Sequence, residues 1–170
     1  RCLYVVPPRA LATEKYEEFK KRWALLGISV GVATGEYDLL GVRLARHQIL
    51  VATSEKVDSL LRMRARWLAE SLTVAVMDEV HYLHDPGRGP TLEFVIARLR
   101  QVNPGLQILA LSATVRNARE VAAWLNAALV SSDWRPVPLL EGVYEGNTIY
   151  YADHTTRSLV AAKANPSQSL

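Results

Sequence analysis

Val76-Met77-Asp78-Glu79-Val80-His81 sets two adjacent carboxylates and a histidine directly behind an apolar run. Acids at the tip of a buried strand suit a phosphate-transfer site, where one carboxylate holds a divalent cation, usually through water, and its neighbour polarises the attacking water. An isolated acidic pair serves equally well to cap the next helix or to meet solvent. A second polar cluster, Ser112-Ala113-Thr114, closes the next apolar run, so parallel strands would bring its hydroxyls to the same edge as the acids. His81, His84 and Asp85 stand three and four residues apart, the spacing of one helical face, which opens a rival reading as zinc ligands. No second ligand cluster of the H-E-x-x-H kind accompanies them.

These side chains need elements to place them. β-branched apolar runs at 3–6, 28–32, 49–52, 73–77 and 107–111 predict strands, each followed by turn or capping residues. Ala12, Tyr16, Phe19, Trp23 and Leu26 recur at spacings of four and three before Gly27, which predicts an amphipathic helix with a glycine stop. Further helices are expected over 54–64, 90–101 and 117–127. Strands interleaved with helices imply an α/β fold with a mostly parallel sheet and helices on both faces, because parallel neighbours need crossover connections. In such sheets ligands lie beyond the carboxyl ends of the strands, where Asp78 and Glu79 fall.

With 170 residues, of which 49% are hydrophobic, the chain is the size of one domain with ample core. Twenty Lys and Arg against 17 Asp and Glu leave a formal charge of +3, compatible with a polyanionic partner without requiring one. Cys2 is the only cysteine, which excludes an internal disulfide framework and favours a reducing, intracellular setting. The longest uncharged stretch, 101–115, is interrupted by Asn103, Pro104 and Gly105 and falls short of the roughly 20 apolar residues of a membrane span. From Asp153 onward aromatic and β-branched density drops, and 144–170 reads as a linker or tail. Cys2 to Val6 already reads as core strand directly behind Arg1, which suggests a fragment.

Asp78-Glu79-Val80-His81 and Ser112-Ala113-Thr114 resemble motifs II and III of superfamily-two DExH-box helicases. Val6-Pro7-Pro8-Arg9-Ala10-Leu11-Ala12 with Glu14-Lys15 is similar to motif Ia, Gly31-Val32-Ala33-Thr34-Gly35 with Asp38 to the TG segment, and Val51-Ala52-Thr53-Ser54-Glu55-Lys56 to motif Ib. Arg88-Gly89-Pro90-Thr91-Leu92-Glu93 and Trp134-Arg135-Pro136-Val137-Pro138-Leu139 resemble the branch that holds archaeal DNA-repair helicases and exosome-linked RNA helicases, the Gly-Pro-Thr-Leu-Glu form leaning towards the former. The resemblance implies a partial RecA-like first motor domain over 1–143, incomplete at its amino end, with 144–170 leading towards a second motor domain. It further implies an intracellular, cytoplasmic prokaryotic enzyme that couples hydrolysis of ATP with Mg2+ to translocation on single-stranded or forked DNA, with 3'-5' unwinding favoured. Asp78 would hold the metal, Glu79 would activate water, and His81 would relay the γ-phosphate state towards Ser112 and Thr114. Pro8, Arg9, Thr34, Gly35, Thr53, Ser54 and Lys56 would line the nucleic-acid track.

One departure stands against this pattern. The P-loop, G-x-x-x-x-G-K-[ST], whose amides and lysine cradle phosphates, occurs nowhere in the sequence. In the family it precedes motif Ia, so the resemblance implies a parent protein that carries it ahead of Arg1; the chain alone is expected to be inactive. A non-catalytic nucleic-acid-binding domain of helicase ancestry is the alternative, as is an RNA rather than a DNA helicase. Between Arg43 and Arg66 six basic residues (Arg43, Arg46, Lys56, Arg62, Arg64, Arg66) face two acids (Glu55, Asp58), a local excess that fits either a phosphate track or a solvated helix face. Thr53 and Ser54 are also suited to capping the following helix, with Glu55 in its first turn.

Overall fold

The structure, a computed structural model, describes residues 1–35, 41–63, 67–113, 117–132 and 134–159. Thr114, Asp38, Arg64 and Arg66, singled out above, lie outside the described residues. Two compact units divide between Ala118 and Arg119.

The first unit is built on five parallel strands: β1 (Cys2–Val6), β2 (Val30–Ala33), β3 (Ile49–Thr53), β4 (Val74–Met77) and β5 (Gln107–Ala110), in the order β2-β3-β1-β4-β5. Each lies within two residues of an apolar run read from the sequence. The connecting helices are α1 (Arg9–Trp23), α2 (Gly41–Leu44), α3 (Ser54–Arg62), α4 (Trp67–Glu70) and α5 (Gly89–Val102). The short helices α2 and α4 have too few turns to show a periodicity, and neither was foreseen.

Register and alternation explain the layers. Tyr4 pairs with Val51 and Val76, and Val76 with Leu109, so Tyr4, Val6, Val51, Val76, Asp78 and Leu109 share one face. Over β1 and β3 that face is covered by α1, whose Ala12, Tyr16 and Phe19 pack against Val6 and Val51. Leu3, Val5, Leu50 and Ala52 alternate with these residues and are equally buried, with α3 against β1 and β3 and α5 against α3. Val57, Leu60 and Leu61 of α3 and Leu92, Val95, Ile96 and Leu99 of α5 supply that second layer. Over β5 the first face stays open: Leu109 is 50% exposed and Leu111 37% exposed.

The second unit holds α6 (Ala118–Leu125) and an antiparallel sheet of β6 (Gly142–Glu145), β7 (Thr148–Tyr151) and β8 (Thr156–Ser158). The end of β6, with β7 and β8, falls within 144–170, the stretch read from the sequence as a linker or tail. The β6–β7 connection is a two-residue loop with positive φ at both Gly146 (52°) and Asn147 (66°), the conformation whose twist matches a hairpin. At the β7–β8 turn the Asp153 carboxylate accepts from the Thr155 hydroxyl and amide, which holds its pKa below the usual carboxylate range.

Gly89, the first residue of α5, sits so close to the backbone that a Cβ there would lie 2.3 Å from the Leu83 carbonyl oxygen. Backbone cannot swing aside as a flexible side chain does, so Gly89→Ala is expected to destabilise the chain by about 2 kcal/mol, read from the midpoint of a urea unfolding curve.

Candidate functional site at the carboxyl edge of the sheet

Because all five strands run parallel, their carboxyl ends share one edge. Asp78 leaves the end of β4 and Ser112 follows the end of β5 on the same side, as the apolar runs required. The ladder continues briefly past the strands: the Asp78 amide donates to the Val5 carbonyl (2.8 Å) and the Leu111 amide to the Met77 carbonyl (2.9 Å). The chain then reverses at Glu79, which takes the left-handed conformation (φ 53°, ψ 43°) that a residue with a side chain seldom adopts. The reversal is secured by the Val80 amide donating to the Leu111 carbonyl (2.8 Å) and opens a 3-10 turn, Val80–His84. Strain of this kind gathers at functional positions, because it persists only where the surroundings enforce it.

Both oxygens of Asp78 have donors. The Glu79 amide donates to Oδ1 (2.9 Å) and the Tyr4 hydroxyl to Oδ2 (2.6 Å), so the carboxylate is held in one orientation, each oxygen keeping a lone pair. Burial, followed by the hydrogen bond to Asp78, raises the Tyr4 pKa and keeps its proton in place. Tyr4, which also meets the Phe19 ring edge-on at 5.0 Å, was missed in the sequence. Its only signal was a hydroxyl-bearing ring within Cys-Leu-Tyr-Val-Val, on the strand face that β4 shares. His81 Nδ1 is buried and lies 3.1 Å from Glu79 Oε2, within ion-pair range but out of line for a hydrogen bond, while its ring stacks on Tyr82 at 4.8 Å.

The acids fit a magnesium-type site. Among the described residues no three His, Cys, Asp or Glu side chains converge into a metal cage. An oriented carboxylate with one open lone pair per oxygen suits a cation whose remaining ligands are water and substrate phosphates. The zinc reading fails because its three side chains part company. His84 Nε2 meets the Asn117 side chain at 2.8 Å, Asp85 Oδ1 accepts from the Gly87 and Arg88 amides, and His81 faces Glu79.

Beside the acids an open groove of about 520 Å3 is lined by Pro8, Arg9, Thr34, Gly35, Thr53 and Lys56, six of the seven residues expected on the nucleic-acid track. The seventh, Ser54, is 1% exposed and its hydroxyl is buried, because the first turn of α3 directs it inward. Thr53 caps α3 by accepting from the Lys56 amide (3.3 Å), and the Lys56 ammonium reaches across to the Gly35 carbonyl (2.7 Å). Arg88 also lines the groove. Arg62 is engaged elsewhere, paired with Asp58 at 2.9 Å and lying over the Phe94 ring, which favours the solvated-face reading of that residue. Ser112 is exposed; no contact joins it to His81, although the Val80–Leu111 bond ties their two segments together.

An acidic pair at the tip of a parallel strand, on the same sheet edge as a groove lined by cations, places a candidate cation site and a candidate polyanion site on one side of the domain. The chain belongs to the DEAD/DEAH box helicase family, which matches it over residues 1–121. It is similar to the ATP-dependent DNA helicases Hel308 of Methanocella arvoryzae (51% identical over 155 residues, 89% of this chain and 21% of that protein) and Pyrobaculum calidifontis (52% over 152 residues, 89% and 21%). The Mycobacterium smegmatis helicase Lhr, solved bound to single-stranded DNA and AMP-PNP, matches with a TM-score of 0.59 at 30% identity, covering 72% of this chain and 18% of that one. The chain spans about a fifth of the length of the curated relatives it matches.

Tyr4→Phe removes one donor from a partly solvated carboxylate and is expected to cost about 1 kcal/mol near neutral pH. Since folding raises the Tyr4 pKa, its contribution is complete below the ordinary tyrosine value near 10 and is lost as pH rises beyond it. Unfolding curves of the two proteins should therefore separate at pH 7 and draw together in strong alkali.

Proposed function

We propose that this chain contributes the metal-binding, water-activating and strand-binding face of the first motor domain of an ATP-dependent DNA helicase. The observation that carries the reading is the enforced left-handed turn at Glu79, which aims that acid away from the strand beside an Asp78 whose two oxygens are already oriented. In the proposed mechanism Asp78 would hold Mg2+, Glu79 would orient and polarise the attacking water, and His81, Ser112 and Thr114 would relate the state of the nucleotide to the rest of the domain. When bound, the ion would neutralise charge on the transferring phosphate. Pro8, Arg9, Thr34, Gly35, Thr53 and Lys56 take the backbone of a single strand without reading its sequence, which suits a translocating enzyme.

The open apolar face of β5, with Leu109 and Leu111 exposed beside the carboxylates, supports docking of a phosphate-loop strand and its helix at that edge. The relatives named as DNA helicases support DNA as the substrate; the motif resemblance favours 3'-5' unwinding. The basic groove would equally serve a second reading, a strand-binding domain without catalysis.

Joining the chain to a phosphate-loop segment and a second motor domain separates the two. Under the helicase reading, that protein hydrolyses ATP with stimulation by single-stranded DNA, and Glu79→Gln leaves ATP binding intact while lowering turnover by about 10²-fold or more. Absence of stimulated turnover, or turnover indifferent to Glu79→Gln, sinks the catalytic reading and leaves the binding one. The chain by itself should release no phosphate from ATP, since positioning of the triphosphate supplies most of the catalysis.

A further inference from the structure

The segment Asp85-Pro86-Gly87-Arg88-Gly89 has no part in the mechanism above, yet it is built with care. Asp85 Oδ1 accepts from the amides of Gly87 (2.9 Å) and Arg88 (2.8 Å), the Asp85 carbonyl accepts from the Gly89 amide (2.8 Å), and Gly89 abuts the Leu83 carbonyl. These contacts fix the Cα of Arg88 at the start of α5 and direct its side chain into the groove that Arg9 and Lys56 also line. There the guanidinium lies 5.3 Å over the Tyr82 ring, and Tyr82 in turn stacks on His81.

We propose that Arg88 binds a backbone phosphate of single-stranded nucleic acid in this groove, and that Tyr82 positions it to do so. The inference rests on the reading of the groove as a strand track and adds a residue to it. A guanidinium held over an aromatic ring by cation–π attraction keeps N–H donors that can point away from the ring, and its planar fork matches two phosphate oxygens. Among the described residues neither Arg88 nor Arg9 has a carboxylate within ion-pair distance. Glu55 is, among the described residues, the one acid on a groove wall that holds three cations, and Thr34, Thr53 and Ser59 line it as well. Several cations and small hydroxyls along a polar channel suit a repeating polyanion better than a single compact anion. Because the stack already restricts the Arg88 side chain, little rotamer freedom remains to be lost on binding.

The test titrates the full chain with labelled oligo-dT and oligo-rU of equal length over a range of salt concentrations. Arg88→Gln should weaken binding to both about tenfold at low salt and reduce the slope of log K against log salt by about 0.7, the loss of one phosphate contact. Arg88→Lys should fall between, keeping charge but losing the fork. Tyr82→Leu should also weaken binding, and the Tyr82→Leu/Arg88→Gln double variant should bind no worse than Arg88→Gln alone; additive losses would overturn the positioning role. If Arg9→Ala weakens binding while Arg88→Gln leaves affinity and slope unchanged, the inference fails and the strand-track reading stands. A loss confined to one of the two sugars would overturn the phosphate assignment. If the unsubstituted chain binds neither strand, or binds without regard to salt, the strand-track reading falls and this inference with it.

Discussion

The parallel hydrogen-bond ladder joining β1 to β3 and β4, and β4 to β5, is the constraint from which the rest follows. Parallel pairing forces each strand to enter the sheet from the same side, so every chain segment that leaves a strand leaves at one edge. The helix after β1, the helix after β3 and the turn after β4 all begin there. That single consequence gathers Arg9, Thr53, Lys56, Asp78, Glu79 and Arg88 from positions spread over 80 residues of sequence. It also turns the amino ends of α1, α3 and α5 towards the groove, where their helix dipoles add positive potential to the basic side chains.

Within that frame the segment from Asp78 to Gly89 is the most heavily determined part of the molecule. The reversal at Glu79 costs on the order of 1 kcal/mol in backbone strain, which the Val80–Leu111 bond and the Asp78 contacts offset. A carboxylate left free to rotate would have to be ordered each time a cation arrived. Here the Tyr4 hydroxyl and the Glu79 amide do that ordering during folding, at the expense of two lone pairs that the cation does not need.

The groove gains little from shape and much from charge. Its walls are short side chains, backbone and cations, with prolines at one end, and nothing in it discriminates one base from another. Phosphate contacts fix a strand's path without reading it. The proximity of Tyr82 to both His81 and Arg88 means that the carboxylates and the Arg88 wall of the groove are built on one continuous segment.

The apolar runs determined the five strands because the inner ones, β1 and β3, are covered on both faces, which leaves little room for polar residues there; the ends of all five were legible to within two residues. The acidic pair was legible too, since it breaks such a run abruptly. Other features depended on neighbours that no local pattern records. Tyr4 and Asp78 are 74 residues apart and meet only because β1 and β4 pair in one register. Ser54 belongs to a motif whose other members face the groove, but the helix phase set by the Thr53 cap turns its hydroxyl into the core. The hairpin after Gly142 went unread although Gly146-Asn147 marks its turn: a small antiparallel sheet is held by its backbone ladder, and its strands are too short and exposed to show a clear alternation. Periodicity in sequence reports what a residue must be shielded from. Which partner it meets is decided by the register of strands far away along the chain, and that only the tertiary structure determines.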